Sequence, residues 1–230
     1  MKILSIIIPV YNEEATIARA VRSVLSVELG DWKKEIIVVD DGSTDKSQVK
    51  LHQFESKIKV IKHKRNRGKG AALRTGFGHA TGRVVVVQDA DLEYDPNEWR
   101  RMLKRYHPRI RPVIYGSRNL RPRRRGYWHY YLGAKVLDVT TNILFKCRLT
   151  DTYTCYKMIN KKIIDSLKLT ANGFEIEAEI TSKILKRGIK IKEVPIDYHP
   201  RHFKEGKKIR LKDAYKGYAM IFRVRFGKNR

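Results

Sequence analysis

The chain has 230 residues, 42% hydrophobic and 32% charged. That is long enough to bury one core and too apolar for a disordered chain. Fifty Lys and Arg against 24 Asp and Glu leave a formal charge of +26, which calls for an anionic partner: nucleic acid, an anionic membrane surface or a phosphorylated substrate. Cys147 and Cys155 stand at no metal-ligand spacing and read as reduced thiols in a cytoplasmic setting. With no run approaching the roughly 18 apolar residues that cross a bilayer and no secretory leader, the chain is expected to lie on a membrane without spanning it.

In chain order, Ile3–Val10 reads as a buried strand ending near Pro9, with a loop at Tyr11-Asn12-Glu13-Glu14. Apolar residues at helical spacing over Ala15–Leu25 predict a helix. Glu35–Val39 is a second strand, running into Asp40-Asp41-Gly42-Ser43-Thr44-Asp45, with Ser43 or Thr44 expected to cap the helix carrying Val49 and Phe54. Ile58–Lys62 is a third strand. The basic glycine-rich loop Asn66-Arg67-Gly68-Lys69-Gly70 precedes a helix over Ala71–Ala80. Val84–Val87, four valines without alternation, predicts a strand covered on both faces. The series β-α-β-α-β-α-β implies an α/β fold with a mostly parallel sheet and helices on both faces.

The later elements are a helix over Asp95–Tyr106, a strand at Val113–Tyr115, a long helix from the Tyr127-Trp128-His129-Tyr130-Tyr131 stretch to about Phe145, and a strand within Thr150–Ile159. A helix over Phe174–Lys186, a strand over Ile189–Tyr198 and an amphipathic helix over Leu211–Phe226 complete the chain. Glu175, Glu177 and Glu179 read as a solvated face, with Glu175 or Glu177 able to reach an acceptor cavity.

The Val84–Val87 strand runs into Gln88-Asp89-Ala90-Asp91, then Glu93 and Asp95. Carboxylates leaving a buried strand need a partner. Asp89 and Asp91, two apart, project the same way from extended chain and suit Mg²⁺ or Mn²⁺, which can also hold substrate phosphates. In open α/β sheets ligands bind beyond the carboxyl ends of the strands, where this cluster lies. The Gly68-Lys69-Gly70 loop offers amides and an ammonium at a helix start, an anion site without the Walker spacing.

Four segments, SIIIPVYNEE, VVDDGSTD, NRGKGAALRTG and VVVQDADLEYDP, resemble in order and spacing those of family 2 glycosyltransferases of the GT-A (Rossmann-like) fold, and among these the polyprenyl-phosphate (dolichyl-phosphate) mannose and glucose synthases. YGSRN, LTDTYTCYKMIN, GFEIEAEI and the VPIDYHPR…EGKK segment extend the likeness more loosely. It implies one domain, with residues 1–120 as a nucleotide-sugar-binding half and 121–230 as an acceptor-binding half with peripheral amphipathic helices. It implies that Pro9, Tyr11, Glu13 and Asp40 hold the nucleoside, with Asp41 nearby and Lys69 near the nucleotide. Asp89 and Asp91 become the D-x-D metal site, with Glu93 a possible further ligand. Arg118, Arg201 and Lys207 or Lys208 would face donor or acceptor phosphates. Cys155 stands where many relatives have glycine, and Gly206-Lys207-Lys208 lacks the serine of a G-x-S-K-like signature.

The resemblance implies an inverting transfer from a GDP- or UDP-linked sugar. A polyprenyl phosphate acceptor is ionised near neutral pH and needs cations, best arginine, rather than a base. A saccharide hydroxyl needs a base, for which Asp151 is the leading residue. Tyr127, Trp128, Tyr130 and Tyr131 beside Arg121–Arg125, and the stripe Leu211, Tyr215, Tyr218 and Phe222 among Lys212, Lys216, Arg223 and Arg225, suit contact with an anionic membrane at its cytoplasmic face; the alternative is ordinary core packing of the apolar stripe. A nucleic-acid-binding module, the rival reading from the charge, leaves the acidic strand ends unexplained, so no nucleic acid is expected.

Overall fold

The structure, a computed structural model, describes residues 1–121, 128–200 and 211–227. Seven strands form one sheet: β1 (Lys2–Val10), β2 (Trp32–Asp40), β3 (Lys59–Lys62), β4 (Val84–Val87), β5 (Val113–Ser117), β6 (Lys157–Asn160) and β7 (Lys192–Pro195), in the order β3-β2-β1-β4-β6-β5-β7. All neighbouring pairs are parallel except those of β6, which runs antiparallel to both β4 and β5. The strand order reverses between β1 and β4, and a crevice opens at the carboxyl ends of strands at such a switch point.

Helices cover both faces. On one lie α1 (Ile17–Ser26), α2 (Ser47–His52) and α4 (Trp99–Arg105), whose Ile17, Val21, Leu51, Trp99 and Met102 pack with Ile6, Ile8, Val84 and Val86. On the other lie α3 (Lys69–His79), α5 (Trp128–Phe145), α6 (Lys161–Ser166), α7 (Ile176–Lys186) and α8 (Leu211–Phe226), whose Leu73, Phe77, Leu137, Ile164, Ile176, Ile180 and Ile221 pack with Ile7, Val85 and Val87. Alternate residues of the valine run thus enter different cores, which is why that run shows no polar alternation.

Several expectations are corrected. The Thr150–Ile159 strand shrinks to β6, and α6 follows it where no helix was expected. The expected 95–106 helix is a 3-10 turn, Pro96–Glu98, followed by the shorter α4. Ser43 does not cap α2: its Oγ accepts from Asn12 N, while Asp45 Oδ1 accepts from Ser47 N at the helix start. Val49 lies outside the core at 66% exposure. Glu177 and Glu179, expected on a solvated face, are 2% and 1% exposed: Glu179 accepts from Thr170 N, Ala171 N and Lys183 Nζ.

α5 and α8 leave several apolar side chains outside. α8 turns Gly217, Met220, Ile221 and Val224 inward, and leaves Tyr215, Tyr218 and Phe226 at 76%, 38% and 68% exposure. The expected stripe of Tyr215, Tyr218 and Phe222 is therefore not the core-facing one, since Phe222 stacks outward between Tyr218 and Phe226. α5 buries Leu137 and Thr141 and exposes Val136, Val139 and Ile143.

Candidate active site

The loop after β1 is stitched to the loop after β2. Asn12 N donates to Ser43 Oγ, Thr44 N to Asn12 Oδ1, and Glu13 N to Ser47 Oγ; the Glu13 carboxylate accepts from Thr16 Oγ1. Parallel pairing sets Pro9 beside Val39 and Val10 beside Asp40, so Tyr11, Glu13 and Asp40 stand at one edge. Asp40 is fully buried. Its Oδ1 accepts from Ser43 N at 2.9 Å, while the buried Oδ2 has no hydrogen-bond partner among the described residues. A buried carboxylate oxygen without a donor is costly, and a nucleobase N–H would satisfy it.

Asp41, expected near the nucleoside, has a different use. Its carboxylate accepts from Arg67 N at 3.0 Å and from Gly68 N at 2.7 Å, and lies 2.6 Å from His63 Nδ1. His63 Nε2 in turn faces Thr75 Oγ1 of α3 at 2.9 Å. Asp41 and His63 therefore fix the basic loop that opens α3. Gly68 in that loop has φ +96°, and a Cβ there would fall 2.3 Å from Asn172 O, so only glycine fits.

At the end of β4, Ala90 points into the core while Asp89 and Asp91 flank it. Asp91 Oδ1 accepts from Glu93 N at 3.1 Å, holding the turn in which Leu92 has φ +64°. Lys69 Nζ lies 2.7 Å from Asp89 Oδ1 and 3.5 Å from Glu177 Oε1, and donates to Cys155 Sγ at 3.0 Å. Glu177 Oε2 accepts from Lys157 Nζ at 2.5 Å, and Lys157 also donates to Thr154 O. Burial opposes the Lys69 charge, but Asp89 above all, with Glu177, holds its ammonium well above the ordinary lysine range. Burial and Asp89 push the Cys155 thiol up, so it remains protonated.

The acceptor-side pair is closed on itself. Arg118 donates to Asp151 through its backbone N, Nε and a terminal nitrogen at 2.9, 2.8 and 2.7 Å, and its guanidinium lies 5.2 Å from the Tyr198 ring centre. Asp151 is 1% exposed; burial raises its pKa, but Arg118 outweighs this and holds it below the usual carboxylate range. An ionised, low-pKa carboxylate already engaged by a guanidinium is a poor general base. Glu93 accepts from the Tyr198 hydroxyl at 2.7 Å, and among the described residues no three acidic, His or Cys side chains stand together as a metal cluster. Glu93, expected as a possible further ligand, is thus tied to Tyr198 in this arrangement. Arg201, Lys207 and Lys208 lie outside the described residues.

Two hard carboxylates beside each other at a switch point fit Mg²⁺ or Mn²⁺ when the remaining ligands come from a diphosphate and water. Beside this edge is a cavity of about 590 Å³ between Asn66–Gly68, residues 170–173 and Lys216, Met220 and Arg223 of α8. It borders the loop before Lys69 but is not lined by Asp89 or Asp91. Glu177, Lys157, His63 and Thr75 were not singled out in the sequence as parts of one site, because their partners come from elements far along the chain.

Residues 5–168 match the model of glycosyl transferase family 2. The chain belongs to that family. It is 29% identical over 227 residues to a dolichol-phosphate mannosyltransferase of Pyrococcus furiosus, covering 96% of this chain and 63% of that protein. It is 30% identical over 123 residues to a dodecaprenyl-phosphate galacturonate synthase of Rhizobium johnstonii, covering 51% of this chain and 36% of that one. The chain thus spans less than two thirds of these relatives' lengths. The fold is also that of glucosyl-3-phosphoglycerate synthase from Mycobacterium tuberculosis, crystallised with Mn²⁺, UDP and glucosyl-3-phosphoglycerate: TM-score 0.73, 20% identity, covering 100% of this chain and 81% of that one. The chain therefore has the GT-A fold and is similar in sequence to polyprenyl-phosphate sugar transferases.

Proposed function

We propose that this glycosyltransferase moves a hexose from a GDP- or UDP-linked donor to a polyprenyl phosphate at the cytoplasmic face of a membrane, with inversion and with a divalent cation at Asp89 and Asp91. The observation that carries the donor half is the orphaned Asp40 Oδ2 at the same sheet edge as the two aspartates. Asp40 receives the base, Tyr11, Pro9 and Glu13 flank the nucleoside, and the Asn66–Gly70 loop, held by Asp41 and His63, brings Lys69 to the diphosphate. When bound, Mg²⁺ or Mn²⁺ neutralises the charge that builds on the leaving diphosphate. Lys69 adds positive charge beside the same oxygens.

The acceptor half rests on Asp151. A saccharide acceptor needs a base, and Asp151 is committed to Arg118; a phosphate acceptor is already a nucleophile at neutral pH. The names of the relatives point the same way. Arg118 orients the acceptor side through Asp151 and the Tyr198 ring, and Arg201 and Lys208 supply further phosphate contacts. No helix among the described residues is long and apolar enough to cross a membrane. The outward Tyr215, Tyr218, Phe222 and Phe226 of α8, with Lys216, Arg223 and Arg225, suit an interfacial contact that brings the site to a lipid-borne phosphate.

The test is transfer from labelled GDP- and UDP-hexoses, with Mn²⁺, to polyprenyl phosphate in vesicles. Label passing into an organic-extractable, lipid-linked product is expected. Transfer to free saccharides with none to the lipid overturns the acceptor assignment.

A further inference from the structure

The four charges behind the aspartate pair alternate in sign. Asp89, Lys69, Glu177 and Lys157 follow one another at 2.7, 3.5 and 2.5 Å, with side-chain exposures of 15%, 11%, 3% and 1%. Three elements supply the three inner members: α3 gives Lys69, α7 gives Glu177 and β6 gives Lys157. The two lysines differ. Lys157 is fixed, since its ammonium also donates to Thr154 O and sits 5.0 Å from the Tyr115 ring centre. Lys69 is shared: its ammonium is in hydrogen-bond contact with Asp89 and Cys155, and stands at a longer ion-pair distance from Glu177. The Glu177 oxygen that faces it, Oε1, is buried and has no hydrogen bond among the described residues. A buried carboxylate oxygen kept short of a donor is costly unless a donor arrives in some working state.

Resting on the donor-site reading above, we propose that Glu177 is a positioning residue for Lys69. It takes the ammonium when a divalent cation takes Asp89, so that Lys69 stays charged and beside the diphosphate. Two cations cannot both sit on Asp89 at full strength, because like charges at a few ångströms repel strongly away from bulk water. The entering cation must therefore displace an ammonium already there. With Glu177 at 3.5 Å, the displaced group has only to close the gap to a hydrogen bond. Without it, the ammonium would be left buried and unpaired. Cys155 lies on the same path: its sulfur is a weak acceptor that touches Lys69 in the resting arrangement without competing with either carboxylate.

The opposed effects of two substitutions test this. The measurement is Mn²⁺ affinity without nucleotide, read by water-proton relaxation, with urea unfolding to show that each variant is folded. Lys69→Met removes the resident ammonium, and Mn²⁺ is expected to bind about tenfold more tightly. Glu177→Gln leaves Asp89 as the one carboxylate beside Lys69, with Cys155 a weak acceptor, and Mn²⁺ is expected to bind about tenfold more weakly. In the double variant the Glu177→Gln penalty disappears, since it acts only through Lys69. Weaker Mn²⁺ binding in Lys69→Met, or an equal Glu177→Gln penalty with and without Lys69, overturns the assignment. Should Glu177→Gln not fold, Glu177→Asp takes its place: it keeps a charge for Lys157 but draws the carboxylate back from Lys69, and the same weakening, lost without Lys69, is expected. The donor-site reading fails separately: Mn²⁺ binding that is absent in the native chain, or undiminished by Asp91→Asn, removes it and this inference with it.

Discussion

Asp91 is half-buried and Asp151 fully buried, and their environments set them apart. Asp91 holds a turn by accepting from the Glu93 amide, whereas Asp151 is clasped by the Arg118 guanidinium and backbone. Asp91→Asn should lower transfer at least about 100-fold with little change in urea stability. Asp151→Asn leaves a buried guanidinium without its counter-charge and should cost about 3–5 kcal/mol, read as a drop in the urea midpoint. If Asp151→Asn instead unfolds like the native chain but has lost transfer as fully as Asp91→Asn, a base role for Asp151 and a hydroxyl acceptor return. A third acid titrates nearby. Asp138 accepts from Thr152 N and Oγ1 through Oδ1, while its Oδ2 has no hydrogen bond among the described residues, and burial raises its pKa from 3.8 to about 6. Because the folded value lies above the unfolded one, Asp138 favours folding below pH about 4 and loses that contribution as pH rises through about 6. Asp138→Asn should therefore stabilise the protein by up to about 3 kcal/mol above pH 6 and change little near pH 4, as urea unfolding at the two pH values would show.

Among the elements, those that carry their own pattern were legible in the sequence. The Val84–Val87 run, the apolar spacing of α1 and the glycines opening α3 each encode a local shape, and strand, helix and loop lie where those patterns predict. The features that escaped depend on partners elsewhere. A four-residue strand such as β6 has too few residues to show its period, and its antiparallel sense comes from inserting between β4 and β5. The acids of α7 look like a polar stripe until Lys157, Lys69 and the 170–171 amides are brought to them. Asp41 looks like a ligand beside Asp40 because the loop it anchors is 26 residues away. For α8, sequence supplied an aromatic stripe without saying which way it faces; the inward row of Met220, Ile221 and Val224 answers that. Replacing Tyr218 and Phe222 together by Glu should abolish co-sedimentation with anionic vesicles while leaving the fold intact by circular dichroism, and unchanged co-sedimentation would remove α8 from the contact.

At the scale of the whole molecule, a charge of +26 surrounds a sheet edge that is locally acidic at Glu13, Asp40, Asp41, Asp89 and Asp91. The positive exterior draws phosphorylated ligands in, and the acidic edge admits a diphosphate only with a cation to offset its charge. Vesicle binding should accordingly weaken as salt is raised from about 0.05 to 0.5 M, and persistence of full binding at high salt would mean the contact is apolar alone. The central claim is that the Asp89–Asp91 edge holds a nucleoside diphosphate sugar through a divalent cation. Calorimetric titration with UDP- and GDP-hexoses tests it most directly. Uptake of one of them in the presence of Mn²⁺, lost on chelation and lost in Asp91→Asn, is predicted; uptake that survives both, or none of either donor with Mn²⁺ present, would contradict it.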